Sequence, residues 1–264
     1  MTEITLDIAA LRRAMRAEYA LARAEIRAHG PLEAYQRSQR RHDERLAAAA
    51  DAATLACRKG CHWCCHFSVD VRPVEVLRIL AFMQAHFTEQ QRAQIRACLE
   101  HNAALLAPLD DIGRMQHNVK CPFLEDDGRC SIYPVRPQTC RNYHATNADG
   151  CRQSFEDPSN LDIDPDFAPL VYQAGAAHVD AFSKALQDEG YDIDAFEMNA
   201  ALATALREDD HGAALRRRFE AKAPAFPRLE GLPAPFELLG EEIAAKEILA
   251  PSFDADLAAG PGSS

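Results

Sequence analysis

Eight of the chain's nine cysteines fall into two groups of four. The first is Cys57-Arg-Lys-Gly-Cys61-His-Trp-Cys64-Cys65, with four thiols inside nine residues. The second is Cys121, Cys130, Cys140 and Cys151, spaced nine to eleven residues apart. A thiolate is a soft anionic donor. Thiolates gathered this way suit structural zinc or an iron–sulfur cluster such as [4Fe–4S]. All eight are therefore candidate metal ligands. The first group reads as a local knuckle and the second as a looser group built around a turn. The fold must join them across the 55 residues between Cys65 and Cys121, or hold two separate sites. Adjacent side chains diverge in most backbone conformations, so Cys64 and Cys65 are not expected to bind one ion together. One of them bridges, serves a second metal or stays free.

His62, His66 and His144 lie beside these cysteines. Each can ligate, but the thiols already suffice, so orienting a ligand or facing solvent is the expected role. Arg136 and Arg141 either offset thiolate charge or are solvated loop arginines. His178 flanks a helix stripe and reads as a partly buried histidine. No glycine fingerprint for a dinucleotide or a nucleotide phosphate is present, and no Ser-His-Asp constellation stands out, so catalytic residues are unknown. The triplet Cys57-x3-Cys61-x2-Cys64 is similar to the spacing that radical-SAM enzymes use for a [4Fe–4S] cluster. Those enzymes carry it in a (β/α) barrel, and no strand–helix alternation surrounds it here.

The elements that must position the cysteines are mostly helical. Ile4, Ile8, Leu11, Met15, Ala22 and Ile26 recur on one face and predict a helix over 4–28, stopped by His29-Gly30-Pro31. A second helix over 32–56 delivers the chain to Cys57. Gly60 inside the cysteine loop is expected at positive φ. A short strand over 67–71 leads to Pro73, which suits a first helical turn. The helix 73–86 is apolar nearly all round and should be buried. Thr88 with Gln91 makes a capping box for a helix over 88–106. Its stripe holds Ile95, Cys98, Leu99, Leu105 and Leu106, which makes Cys98 a small core residue rather than a ligand. Residues 123–133 predict a hairpin with Cys130 facing Phe123 and Cys121 diagonal to it on the same face. An acidic loop follows over 152–166. Helices are predicted over 168–189, over 194–207 with Asp192 or Asp194 as cap, and over 211–222. The end is Pro-rich, with one helix near 237–249 and a disordered terminus.

The fold class is thus mainly α, with a small irregular cysteine-rich centre containing a short β-hairpin. Its divisions are N-terminal helices over 1–56, a metal-binding region with inserted helices over 57–151, C-terminal helices over 152–222, and a tail over 223–264. The chain is long enough to bury a core without disulfides. Its net charge is −11, with 11 Lys/Arg against 8 Asp/Glu in residues 1–60 and 18 against 32 beyond. That acidic remainder argues against general binding of nucleic acid, which needs cations for phosphates. No stretch approaches ~18–20 apolar residues, so no membrane span is expected. Acids in the opening Met-Thr-Glu-Ile-Thr-Leu-Asp, where a secretory signal has a basic start, predict a cytoplasmic location. Thiols stay reduced there, and an odd count of nine fits a disulfide framework poorly.

The chain resembles the YkgJ-like cysteine-cluster family, also called CxxCxxCC, a zinc- or iron-chelating domain. The resemblance rests on Cys57-Arg-Lys-Gly-Cys61-His-Trp-Cys64-Cys65, on Cys121-Pro-Phe-Leu124, and on Gly128-Arg-Cys130-Ser-Ile-Tyr-Pro-Val-Arg136-Pro137-Gln-Thr-Cys140-Arg141. It covers roughly 57–145. Three residues separate Cys57 from Cys61 where the family name implies two, and Cys151 lies beyond the quoted pattern. The resemblance implies a metal ion or cluster as partner. A related domain occurs in flagellin lysine N-methylases, which adds an iron–sulfur-dependent enzyme of methyl transfer or redox chemistry as an alternative. Metal storage or delivery is a third.

Overall fold

The computed structural model describes residues 8–163, 165–209 and 211–233. Helix α1 (Ile8–His29) ends at Gly30, whose φ of +82° is the left-handed stop, and Pro31 opens α2 (Pro31–Ala48). The predicted second helix stops eight residues early, and Asp51 shows why. Its carboxylate accepts the backbone N–H groups of Leu170 at 2.8 Å and Val171 at 3.0 Å. Asp51 therefore caps the start of a distant helix, α8 (Pro169–Asp188), and the chain must turn to reach it.

Strand β1 (Asp70–Val71) pairs antiparallel with β2 (Phe196–Glu197). Helix α3 (Pro73–His86) follows directly, with the Glu75 side chain accepting the Arg72 N–H at 2.7 Å. Val74, Val76, Leu77, Ile79, Leu80 and Met83 are all buried, as an all-round apolar helix requires. Helix α4 (Glu89–Leu106) carries the Thr88/Gln91 capping box. Three short helices were not predicted: α5 (Asp111–Met115), α6 (Gln138–Asn142) and α7 (Ala148–Glu156), the last running into the expected acidic loop. Side-chain caps account for two of them. Asp110 accepts from Gly113 N–H and Asn147 from Asp149 N–H.

Helices α8 (Pro169–Asp188), α9 (Met198–Glu208) and α10 (Ala213–Glu220) complete the described fold. Neither Asp192 nor Asp194 caps α9. Glu197 does, accepting from Asn199 and Ala200 N–H, because β2 delivers the chain to the helix from inside the sheet. Asp192 instead holds Asp194 N–H and Ala225 N–H. The helix predicted near 237–249 and the terminus lie outside the described residues.

Helix α1 packs on α2 and α8, and α4 packs on α9. Helix α3 lies between these sets and touches α2, α9 and α10. One apolar core runs through all of them, from Met15 on α1 to Phe226. A buried polar row crosses the α1/α2/α8 interface. Glu18 takes two bonds from Arg41, at 2.9 and 2.7 Å, and one from Ser38, which also meets His178 at 2.8 Å. His178 is fully buried rather than partly so. Among the described residues no helix is long and apolar enough to cross a membrane.

Candidate metal centre

The first cysteine loop leaves the helical body after residue 54 and doubles back at Gly60, at φ +87°. The Cys61 N–H closes that turn on Arg58 O at 2.9 Å. A single 3-10 turn, Trp63–His66, then carries Cys64 and Cys65. Both thiols are half-buried on that turn, and Cys65 is the leading influence on Cys64. The predicted hairpin reduces to one antiparallel bridge, between Leu124 and Cys130, with Gly128 at φ +78° in the loop. Cys130 is therefore opposite Leu124, one residue from the expected Phe123. The loop holds five residues instead of four, closed by Glu125 N–H to Arg129 O at 2.8 Å.

These two loops touch. A Cβ on Gly128 would lie 2.9 Å from Gly60 O and 3.3 Å from the His62 ring. The Cys121 N–H donates to Cys65 O and the Val119 N–H to His66 O, each at 2.8 Å. The Ala56 N–H bonds Ala145 O at 2.8 Å, and the Ala145 N–H in turn donates to Cys57 Sγ at 3.4 Å. Helix α7 closes the remaining side. Its Phe155 ring lies 5.4 Å from Trp63 and 4.6 Å from His66, which brings buried Cys151 against the 3-10 turn. Both groups thus share one face of the molecule.

Local backbone geometry presents the thiols as acceptors. The backbone N–H groups of Trp63, Phe123 and Ile132 favour ionisation of Cys61, Cys121 and Cys130. Burial opposes it, pushing Cys121 and Cys140 far above the ordinary thiol range and raising Cys61 and Cys130. Cys64 is raised most by its neighbour Cys65 and then by burial. Cys151 is pushed up to about 12 by burial and then by Cys64, Cys57 and Cys61. Cys64 is the shared neighbour: its charge raises Cys61 and Cys151 on one side and Cys130 and Cys140 on the other. All nine cysteines are free thiols, with Cys57 exposed and Cys61, Cys64 and Cys65 half-buried.

Arg136 supplies the positive charge. It eases the ionisation of Cys64, Cys130 and Cys140, stacks 4.2 Å over the Tyr133 ring, and keeps a buried Nε with no bonded acceptor. Arg141 is neither solvated nor aimed at thiols. It is 3% exposed and ties its segment to Asp43 on α2. His144 is held neutral, its pKa lowered to about 4 by burial and then by Arg136 and His42. Burial likewise lowers His66. The Nδ1 atoms of His62 and His144 are buried without a partner. Cys98 corrects an expectation: it is half-buried rather than in the core, and lies within electrostatic reach of Cys121.

Among the described residues no three His, Cys, Asp or Glu side chains already close into a metal cage. The donor set nonetheless fits a thiophilic metal: eight thiols in two groups whose loops touch, a backbone N–H donated to Cys57, a guanidinium that eases ionisation of three thiols, and two spare imidazole nitrogens. Burial disfavours the thiolates of Cys61, Cys121, Cys130, Cys140 and Cys151, so taking up metal there must release protons. Residues 56–160 match the model of the CxxCxxCC family, described as "Putative zinc- or iron-chelating domain". That segment contains all eight clustered cysteines, Cys151 included. No curated protein and no solved structure matches the chain.

Proposed function

We propose that Cys57, Cys61, Cys64, Cys65, Cys121, Cys130, Cys140 and Cys151 form one continuous thiolate centre that holds zinc or a [4Fe–4S] cluster. The observation that carries this reading is the direct packing of the two cysteine loops at Gly60 and Gly128. Separate sites do not need that contact. On this reading the metal supplies a soft Lewis-acid or cluster anchor. The chain's own residues set its surroundings: Arg136 offsets thiolate charge, backbone N–H groups orient the sulfurs, and Phe155 with Trp63 shields one side. A reducing, cytoplasmic setting keeps the thiols available.

Exposure of Cys57 supports a second reading, metal delivery, because one side of the centre meets solvent. Anaerobic purification followed by metal analysis and an absorption spectrum tests the primary proposal. Stoichiometric iron with sulfide and a visible band marks a cluster, and colourless stoichiometric zinc marks a zinc centre. Protein that takes up neither refutes it. The exchange rate with a competing chelator then separates a fixed centre, which exchanges slowly, from delivery.

A further inference from the structure

One cavity lies away from the thiols. It is a cleft of about 340 Å³ between α2 and α3, walled by Leu32, Leu77 and Ala81 and rimmed by Arg37, Arg40 and Arg78. Its charge is unbalanced. Glu33, the one acid in the lining, pairs with Arg37, which also faces Glu25 at 3.9 Å. Among the described residues Arg40 and Arg78 have no carboxylate partner. Arg78 is half-buried, and its Nε is shut off from water with no acceptor. The nearest buried acid along the helix, Glu75, is already committed to the Tyr35 hydroxyl, Arg72 N–H and Gln138 N–H. An unanswered, partly desolvated guanidinium costs stability, so a site that keeps one is suited to an incoming anion.

We propose that this cleft binds a small organic phosphate, with Arg40 and Arg78 gripping the phosphate and Leu32, Leu77 and Ala81 covering an apolar moiety. Two uncompensated guanidiniums match the two charges of a phosphomonoester, whereas a carboxylate brings one. Guanidinium forks bind phosphate oxygens in pairs. The volume falls at the lower end of ligand pockets, of order 300–1,000 Å³, which limits the organic part to a small ring or short chain.

The test is calorimetric titration of the full chain with phenyl phosphate, benzoate and phenol. Phenyl phosphate should bind saturably, with affinity falling as salt rises. Benzoate should bind at least about tenfold more weakly, and phenol not measurably. Arg78→Gln and Arg40→Gln should each weaken phenyl phosphate about tenfold or more. Arg40 is exposed, so its variant keeps the test intact should Arg78→Gln fail to fold. No saturable binding by the wild-type chain, unchanged affinity in the folded variants, or equal binding of benzoate overturns the assignment.

Discussion

Replacing Arg141 should loosen the second cysteine group from the helical body. Its guanidinium reaches both Asp43 oxygens, at 2.7 and 2.6 Å. It also donates to Arg136 O at 3.1 Å and Pro134 O at 2.6 Å. One side chain therefore pins the segment bearing Arg136 and Cys140 onto α2. Arg141→Met removes four bonds and leaves their acceptors unserved. Breaking a buried pair from one side costs about 3–5 kcal/mol. The Asp43 side chain is 52% exposed, which lets water recover part of that. The carboxylate gives an independent check. Burial pushes Asp43 up, yet His42 and Arg141 outweigh it and hold it at about 2. A downward shift of that size is worth about 2 kcal/mol at neutral pH before solvent screening. Together these set the loss at about 2–4 kcal/mol. Urea unfolding under anaerobic conditions measures it, with hydrogen exchange over residues 133–146 to localise it. Arg141→Lys keeps the charge but not the fork, so it should recover less than half. A loss under ~1 kcal/mol for the Met variant, or a Lys variant equal to wild type, refutes the clamp.

Three further outcomes follow from the same geometry. Gly128→Ala should cost about 2–3 kcal/mol and lower metal content, since it adds a left-handed penalty to a 2.9 Å approach to Gly60 O; wild-type stability and metal content would sink the idea that the loops must touch. Cys64→Ala and Cys130→Ala should lose metal sharply, whereas Cys98→Ala should keep it at a cost of at most ~1–2 kcal/mol; metal-to-protein ratios of the three decide, and equal loss from Cys98→Ala places that thiol in the centre. Acid should destabilise the fold through His42 and His178, whose pKa values burial lowers; Glu18 lies 3.5 Å from His178, but Arg41 holds both its oxygens. The unfolded chain binds these protons below about pH 6.5 and the folded chain resists them, so stability falls with pH at up to ~1.4 kcal/mol per unit per group. His178→Gln should make the urea-measured profile shallower, and an unchanged slope contradicts that source.

The helices were legible where one signal dominated. Pro73 with an all-round apolar run fixed α3, and Thr88 with Gln91 fixed the start of α4. What escaped was set by partners distant in sequence. Asp51 ends α2 early because it serves α8, 119 residues on to Leu170. Glu197 displaces Asp192 and Asp194 as a cap because β2 pairs with β1. The candidate thiols were evident from type and spacing, but their convergence was not. Glycine 128 carries no signal that its missing Cβ admits the carbonyl of Gly60. Arg141 read as a thiolate counter-charge or a solvated loop residue because its partner, Asp43, lies 98 residues away on α2. Phe155 sat in what read as acidic loop, and only its packing on Trp63 explains how Cys151 reaches the others.

X-ray absorption at the zinc or iron edge of the anaerobically isolated protein tests the central claim most directly. A centre built from these eight cysteines should show a shell made of sulfur, at ~2.3 Å for zinc. Cys64→Ala and Cys130→Ala should both disrupt that shell, since the two groups serve one centre. A shell dominated by nitrogen or oxygen, or one lost with Cys64→Ala and intact with Cys130→Ala, contradicts the account.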